Sequence, residues 1–308
     1  MNKVIVLAGP TAVGKTKFSL AIAKEFNCEI VGCDSMQLYK YMDIGSAKPT
    51  PEEMAMVKHH LVDCVDPKSI FSVAKYQKKA LEAIDQILSE GKTPLVTGGT
   101  GLYLNSIMYK MDFAGTTINP KLRKELEEEA AKYGNMYVHN KLEYLDPKTA
   151  ARIHPNNLKK TIRAIETIMA GRKIKAFQQC YEKNDKYEFL LIGITREREE
   201  LYSRIDDRVE ELIDVGLIEE VEALYDMGLN SSYTSMKGIG YKELMDHLEG
   251  KTGLNDAIRL IKRNTRHYAK RQMTWFKRYE DMKWFDLSEY ESDEKAIEEI
   301  IEWIKINA

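Results

Sequence analysis

The chain has 308 residues, 44% of them hydrophobic and 31% charged, with a formal net charge of −2. That length supports one large cored domain or two smaller ones, and so balanced a charge leaves any nucleic-acid affinity to local clusters. The apolar run in residues 1–9 is too short for a signal peptide and no stretch approaches the roughly 20 apolar residues of a membrane span. Cys28, Cys33, Cys64 and Cys180 form no CxxC pair, so we expect a cytoplasmic protein without zinc or disulfides.

Residues 3–8 form an apolar run, followed by a glycine loop and by helical periodicity over 17–26, which reads as strand, loop, helix. Strands are also expected at 29–33 and, as a further candidate, at 61–65. Over 76–89 an amphipathic helix places Ala80, Ile84, Ile87 and Leu88 on one face, and Gly91 stops it. Residues 93–97 read as a buried strand ending in Gly98-Gly99-Thr100-Gly101, and 188–195 as another. Strands alternating with helices predict an α/β fold, a P-loop NTPase-like parallel sheet flanked by helices. Residues 114–186 are polar and helix-rich without a strand signal, and we read them as a mostly helical insertion domain. Residues 1–113 and 187–308 then form the core domain, with helices from 197 to 279 and an edge strand at Trp284-Phe285-Asp286-Leu287.

Gly9-Pro10-Thr11-Ala12-Val13-Gly14-Lys15-Thr16 matches the phosphate-loop pattern GxxxxGK[ST], with a strand before it and a helix after it. Its backbone N–H groups can wrap a phosphate, aided by the positive end of the helix. Lys15 would reach terminal phosphates, and the Thr16 hydroxyl would ligate Mg2+, the expected cofactor. Kinases, NTPases and diphosphate-using transferases all use such a loop. Asp34 follows the second strand, on the side where parallel sheets collect ligands. It suits a magnesium ligand, a general base or a nucleobase contact, and equally a helix N-cap. Gly98-Gly99-Thr100-Gly101 is either a ligand loop or a plain turn, and His59-His60 reads as a surface or capping pair because no third ligand is suitably spaced.

Two segments are basic. Residues 148–175 carry Lys148, Arg152, Lys159, Lys160, Arg163, Arg172, Lys173 and Lys175 against Glu166 alone. Residues 259–278 carry Arg259, Lys262, Arg263, Arg266, Lys270, Arg271, Lys277 and Arg278 with no acid. This second segment is +8 in a chain of net −2, which leaves −10 for the remainder. With Tyr268, Trp275 and Phe276 interleaved, it favours polynucleotide binding over a merely solvated helix face.

Together these residues resemble the tRNA dimethylallyltransferase (tRNA isopentenyltransferase) family of bacterial type. The resemblance runs through Gly-Pro-Thr-Ala-Val-Gly-Lys-Thr (9–16), Asp-Ser-Met-Gln-Leu-Tyr (34–39), Met-Asp-Ile-Gly-Ser-Ala-Lys-Pro (42–49) and His-His-Leu-Val-Asp (59–63). It continues in Gly-Gly-Thr-Gly-Leu-Tyr (98–103), Gly-Ile-Gly-Tyr-Lys-Glu (238–243) and Lys-Arg-Gln-Met-Thr-Trp-Phe (270–276). It implies transfer of a dimethylallyl group from dimethylallyl diphosphate to N6 of the adenosine at tRNA position 37, with diphosphate leaving. Asp34 then matches the acid that holds the adenine amine and takes its proton, and Thr100 and Arg208 match contacts to the diphosphate. Ser35, Met36 and Gln37 match the base pocket, with Asp34 and Thr100 also touching the RNA. Arg123, the stretch Lys159-Lys160 to Arg163, and Lys237-Gly238-Ile239-Gly240-Tyr241-Lys242 match RNA-contacting positions. Arg263, Arg266, Lys270 and Arg271 are expected to join them. The helical insertion becomes the arm that holds the anticodon stem-loop. The departures are small: Lys58 stands where many members have proline, and Ser46 where threonine is usual. A monomer without an obligate protein partner or membrane contact is expected. A small-molecule kinase and a nucleotide-sensing RNA binder are the competing readings. Neither accounts for both the basic segments and the matched catalytic positions.

Overall fold

A computed structural model describes residues 2–111, 113, 119–172, 174 and 182–307. The first apolar run is β1 (Asn2–Ala8), buried from Val4 onward. The glycine loop leads into α1 (Lys15–Glu25) and then β2 (Cys28–Gly32). A long loop carries α2 (Pro51–Met56), whose Thr50 and Glu53 close a reciprocal capping box, and ends in β3 (His59–His60). Helix α3 (Val73–Ser89) starts at the Ser72 cap and buries Tyr76, Ala80, Ala83, Ile84 and Ile87, while Leu88, expected on the same face, is half-buried. Strand β4 (Thr93–Gly98) and α4 (Gly101–Met108) follow.

All strand pairs are parallel, in the order β3-β2-β4-β1 and then β5 (Tyr187–Thr195) and β6 (Lys283–Asp286). This order positions the site. Because β2, β4 and β1 are neighbours, the loops leaving their carboxyl ends, at residues 33–38, 98–101 and 9–16, must lie side by side. Such a cluster at the carboxyl ends is where open parallel sheets bind ligands. Beneath it, Ile5, Leu7, Phe18, Ile22, Ile30, Leu95, Ile192 and Ile194 form one apolar cluster.

The chain divides into two units, Met1–Met108 with Asn184–Ala308, and Tyr109–Lys183. The second holds α5 (Pro120–Tyr133), α6 (Asn135–Leu145), α7 (Pro147–Ala150) and α8 (Leu158–Met169). Asn119 and Asn157 cap α5 and α8, and Gly134, at φ 87°, separates α5 from α6. Leu126, Val138, Leu142, Ile162 and Ile165 make a separate small core, and Tyr109 and Lys183 form an antiparallel bridge at its base. In the first unit β5 is followed by α9 (Arg198–Asp214), α10 (Leu217–Asp226), α11 (Tyr241–Leu248) and α12 (Leu254–Phe276). Helix α13 (Asp293–Asn307) ends the chain after β6.

The expected strand at 61–65 is not there. Leu61 and Asp63 take positive φ values of 60° and 51°, which end extended structure, and only Val65 makes an isolated bridge, to Tyr39. The strand lies just before it, in the histidine pair read as a surface or capping feature. His60 Nε2 bonds the buried carboxylate of Glu29 at 2.6 Å. Cys28 and Cys33 are buried thiols and Cys64 is exposed, whereas Cys180, Lys173 and Lys175 lie outside the described residues.

Candidate active site

The phosphate loop is held by its carbonyls. Lys15 Nζ donates to the Gly9 and Pro10 oxygens (3.1 and 2.7 Å), Arg204 Nε to Ala12 O (3.1 Å) and Arg196 Nε to Val13 O (3.3 Å). The N–H groups of Ala12, Val13 and Gly14 have no acceptor among the described residues and are left for an anion, beside the first turn of α1. Gly9 is required by contact, since a Cβ there would lie 2.6 Å from the Ile194 carbonyl oxygen. Ala12 keeps a positive φ of 62°, a conformation that persists where the surroundings enforce it. The Arg204 bond fixes the direction of its carbonyl. Burial pushes the Lys15 ammonium down to about 8, with Asp34 pulling the other way and Arg208 adding to the fall.

Asp34 takes both roles considered for it. Its Oδ1 accepts from the N–H groups of Met36 (2.8 Å) and Gln37 (3.4 Å), which is a cap on the turn after β2. Its Oδ2 has no hydrogen-bond partner among the described residues. Two cavities meet at this residue. One, of about 450 Å³, is lined by Lys15, Thr16, Asp34, Gln37, Lys48 and Arg208 among others. The second, about 340 Å³ and more apolar, is walled by Ile205, Val209, Leu212, Leu217, Ile239 and Ile261. Asp34, Arg208, Thr11 and Tyr268 line both. Arg208 forms no ion pair among the described residues, and burial first of all lowers its pKa.

Ser35, Met36, Lys237, Gly238, Ile239, Gly240 and Arg271 also line the apolar cavity, so two stretches 200 residues apart in sequence form one wall. Gly238 permits this, because a Cβ there would stand 2.5 Å from Met36 Cε. Gln37 donates to the Ser46 and Ala47 oxygens (3.3 and 2.9 Å), and Glu220 accepts from the N–H groups of Asp43, Ile44 and Gly45. Thereby the loop bearing Ser46 and Lys48 closes one side.

Thr100 sits differently from a direct phosphate ligand. Its hydroxyl accepts from Ser35 N (3.1 Å), lies 3.4 Å from Ser35 Oγ, and interacts with the Tyr268 phenol. Tyr241, expected to touch RNA, is fully buried and donates its hydroxyl to Glu220 at 2.7 Å. Lys242 is exposed. On α12, Arg263, Lys270 and Arg271 are exposed, but Arg266 pairs with Asp206 and Lys262 with Glu210. The acids missing from the basic segment are therefore partly supplied by α9. In the second unit Lys159 and Lys160 are exposed, while Arg123 and Arg163 both reach the buried carboxylate of Glu166, at 2.6 and 3.5 Å.

Three residues at the site were not singled out from sequence. Arg196 and Arg204 hold the phosphate loop, and Gln272 accepts from Thr11 N and donates to Gly99 O, both at 2.9 Å. Arg204 had a signal: it lies one helical turn before Arg208, on the same face. No group of three His, Cys, Asp or Glu side chains able to hold a metal occurs among the described residues. The donors present suit a Mg2+ completed by substrate phosphates and water, with Thr16 and Asp34 lining the same cavity. No helix among the described residues is long and apolar enough to cross a membrane.

A parallel sheet whose first strand runs through GxxxxGKT into a helix, with an acid after the next strand, defines the P-loop α/β class. The description "IPP transferase" belongs to the family model that matches residues 37–279. The tRNA dimethylallyltransferase of Acetivibrio thermocellus is 50% identical over 302 residues, which is 97% of this chain and 96% of that protein. Among solved structures, the full-length tRNA isopentenylpyrophosphate transferase of Bacillus halodurans is 43% identical, with a TM-score of 0.75 and coverage of 99% and 96%. A eukaryotic dimethylallyltransferase acting on tRNA gives a TM-score of 0.80 at 30% identity, covering 93% of this chain and 74% of that one. The chain belongs to the IPP transferase family, as the sequence motifs had implied.

Proposed function

We propose that this chain transfers a dimethylallyl group from dimethylallyl diphosphate to N6 of the adenosine at tRNA position 37, releasing diphosphate and leaving N6-dimethylallyladenosine. It works in the cytoplasm as a monomer. The reading is carried by the wall common to the two cavities: Asp34 and Arg208 line both the phosphate-loop cavity and the apolar one. A donor gripped by its diphosphate can there meet a base held at Asp34.

The bond from C1 of the dimethylallyl group to the diphosphate oxygen breaks as the N6–C1 bond forms. The amine's proton passes to Asp34 Oδ2, which makes a conjugated, weakly nucleophilic nitrogen competent. Charge grows on the departing diphosphate, and Lys15, Arg208 and the open N–H groups of the loop are aimed where it develops. The Thr16 hydroxyl would hold Mg2+, which would supply further neutralisation of that charge. Thr100 keeps the Asp34 turn in place through Ser35. Ser35, Met36 and Gln37, with residues 237–240, receive the base, whose extraction from its stack costs a few kcal/mol. Phosphate contacts from Arg263, Lys270 and Arg271, and from Lys159 and Lys160, offset that cost, whereas Arg123 and Arg163 are turned onto Glu166.

Thermal unfolding separates this from a kinase. Dimethylallyl diphosphate with Mg2+ should raise the Tm at least as far as ATP with Mg2+. Stabilisation by ATP alone would contradict the reading.

A further inference from the structure

Gln272 is 4% exposed, and the chemistry above makes no direct use of it. A buried amide needs partners for its donor and its acceptor. Those of Gln272 lie on the two loops that end β1 and β4. Its Oε1 accepts from Thr11 N and its Nε2 donates to the Gly99 oxygen, each at 2.9 Å. The Gly99 position suits this bridge, because a Cβ there would overlap Gln272 Nε2. One N–H of the phosphate loop is thus held by the protein, and the position of that N–H depends on where α12 stands.

The same stretch of α12 faces the other way as well. Arg263, Lys270 and Arg271 are exposed and in no ion pair among the described residues. Tyr268, one turn before Gln272, interacts with Thr100, and Trp275 packs against Gly101, leaving no room for a Cβ there. The last turns of α12 therefore grip both loops from within while neighbouring residues present cations outward.

We propose that Gln272 is a positioning residue that couples RNA docking on α12 to the grip of the phosphate loop on diphosphate. The proposal rests on the function given above and adds the residue through which one substrate prepares the site for the other. An RNA backbone that fixes α12 fixes Thr11 N through a single side chain. By linkage, diphosphate must then tighten RNA by the factor by which RNA tightens diphosphate.

The test measures the affinity of inorganic diphosphate with Mg2+ by calorimetry, without RNA and with a saturating unmodified anticodon stem-loop. The intact protein should gain at least about fivefold in diphosphate affinity when RNA is bound. In Gln272→Met that gain should fall to within about twofold of none, while RNA affinity measured alone stays within about threefold. At saturating tRNA, KM for dimethylallyl diphosphate should rise, and by the same linkage KM for tRNA at saturating dimethylallyl diphosphate should rise by a similar factor. If the variant does not fold, the natural protein still decides: stem-loop RNA alone should slow amide hydrogen exchange in residues 9–16. Transfer activity with no gain on adding RNA, an undiminished gain in Gln272→Met, or unchanged exchange overturns the coupling alone. A natural protein that transfers nothing to tRNA overturns the functional reading, and the coupling with it.

Discussion

Asp34 divides its two oxygens between tasks. Oδ1 holds the turn through Met36 and Gln37, and Oδ2 is left for the substrate. Asp34→Asn keeps the carbonyl that caps the turn and removes the base. It should slow single-turnover transfer by about 10² to 10⁴ while leaving tRNA affinity within about tenfold. A variant with natural turnover would end the assignment of Asp34 as base. Lys15 gives a pH signature. Burial lowers its ammonium to about 8, so above that pH the free loop has lost a proton that a bound diphosphate favours. Affinity for dimethylallyl diphosphate should then fall by up to about tenfold per pH unit above about 8, with a matching proton uptake on binding. Calorimetry in two buffers measures both, and Lys15→Arg should remove the dependence. The effect on folding has its own sign. The folded pKa of about 8 lies below the ordinary lysine value of 10.5, so the buried ammonium opposes folding below about pH 8, and this opposition fades as pH rises toward 10.5.

At the scale of elements, β2 and β3 are joined by a charge cluster rather than by strand length. Burial alone would raise the Glu29 carboxyl, but hydrogen bonds from Lys92, His60 and Lys58 outweigh it and hold the group at about 2. This stabilisation is complete above about pH 4.5 and is lost as pH falls toward 2. Glu29→Gln should lower stability at neutral pH by about 1.5–3 kcal/mol and flatten the fall of Tm between those limits. An unchanged acid profile would contradict the role given to the cluster. The strands that bear the phosphate loop, Asp34 and the Gly98–Gly101 turn were legible in the sequence because each is a short apolar run closed by turn residues. β3 was not, because two histidines carry no apolar pattern and their strand character comes from pairing with Ile30 and Val31. The catalytic positions were legible chiefly as an ordered set of motifs: Arg208 on its own is one charged residue on an amphipathic helix. Gln272 was hidden for a different reason, since its partners, Thr11 and Gly99, are 261 and 173 residues away.

For the whole molecule, the net charge of −2 conceals a basic helix, part of whose charge is matched by acids on α9. Exposed and unpaired cations are the ones able to release counterions from RNA. Lys270→Ala and Arg271→Ala should each reduce the slope of log K against log salt by about one, whereas Arg259→Ala, whose partner is Asp256, should change it less. Equal slopes in all three variants would remove the distinction. The central claim is that the phosphate loop and Asp34 bring a prenyl diphosphate and an adenosine amine together. It is tested most directly by incubating the protein with Mg2+, labelled dimethylallyl diphosphate and an unmodified tRNA with adenosine 3′ of its anticodon, then digesting the RNA and identifying the labelled nucleoside. The account predicts label on N6 of that adenosine and release of diphosphate. Folded protein that leaves several such tRNAs unlabelled would contradict it.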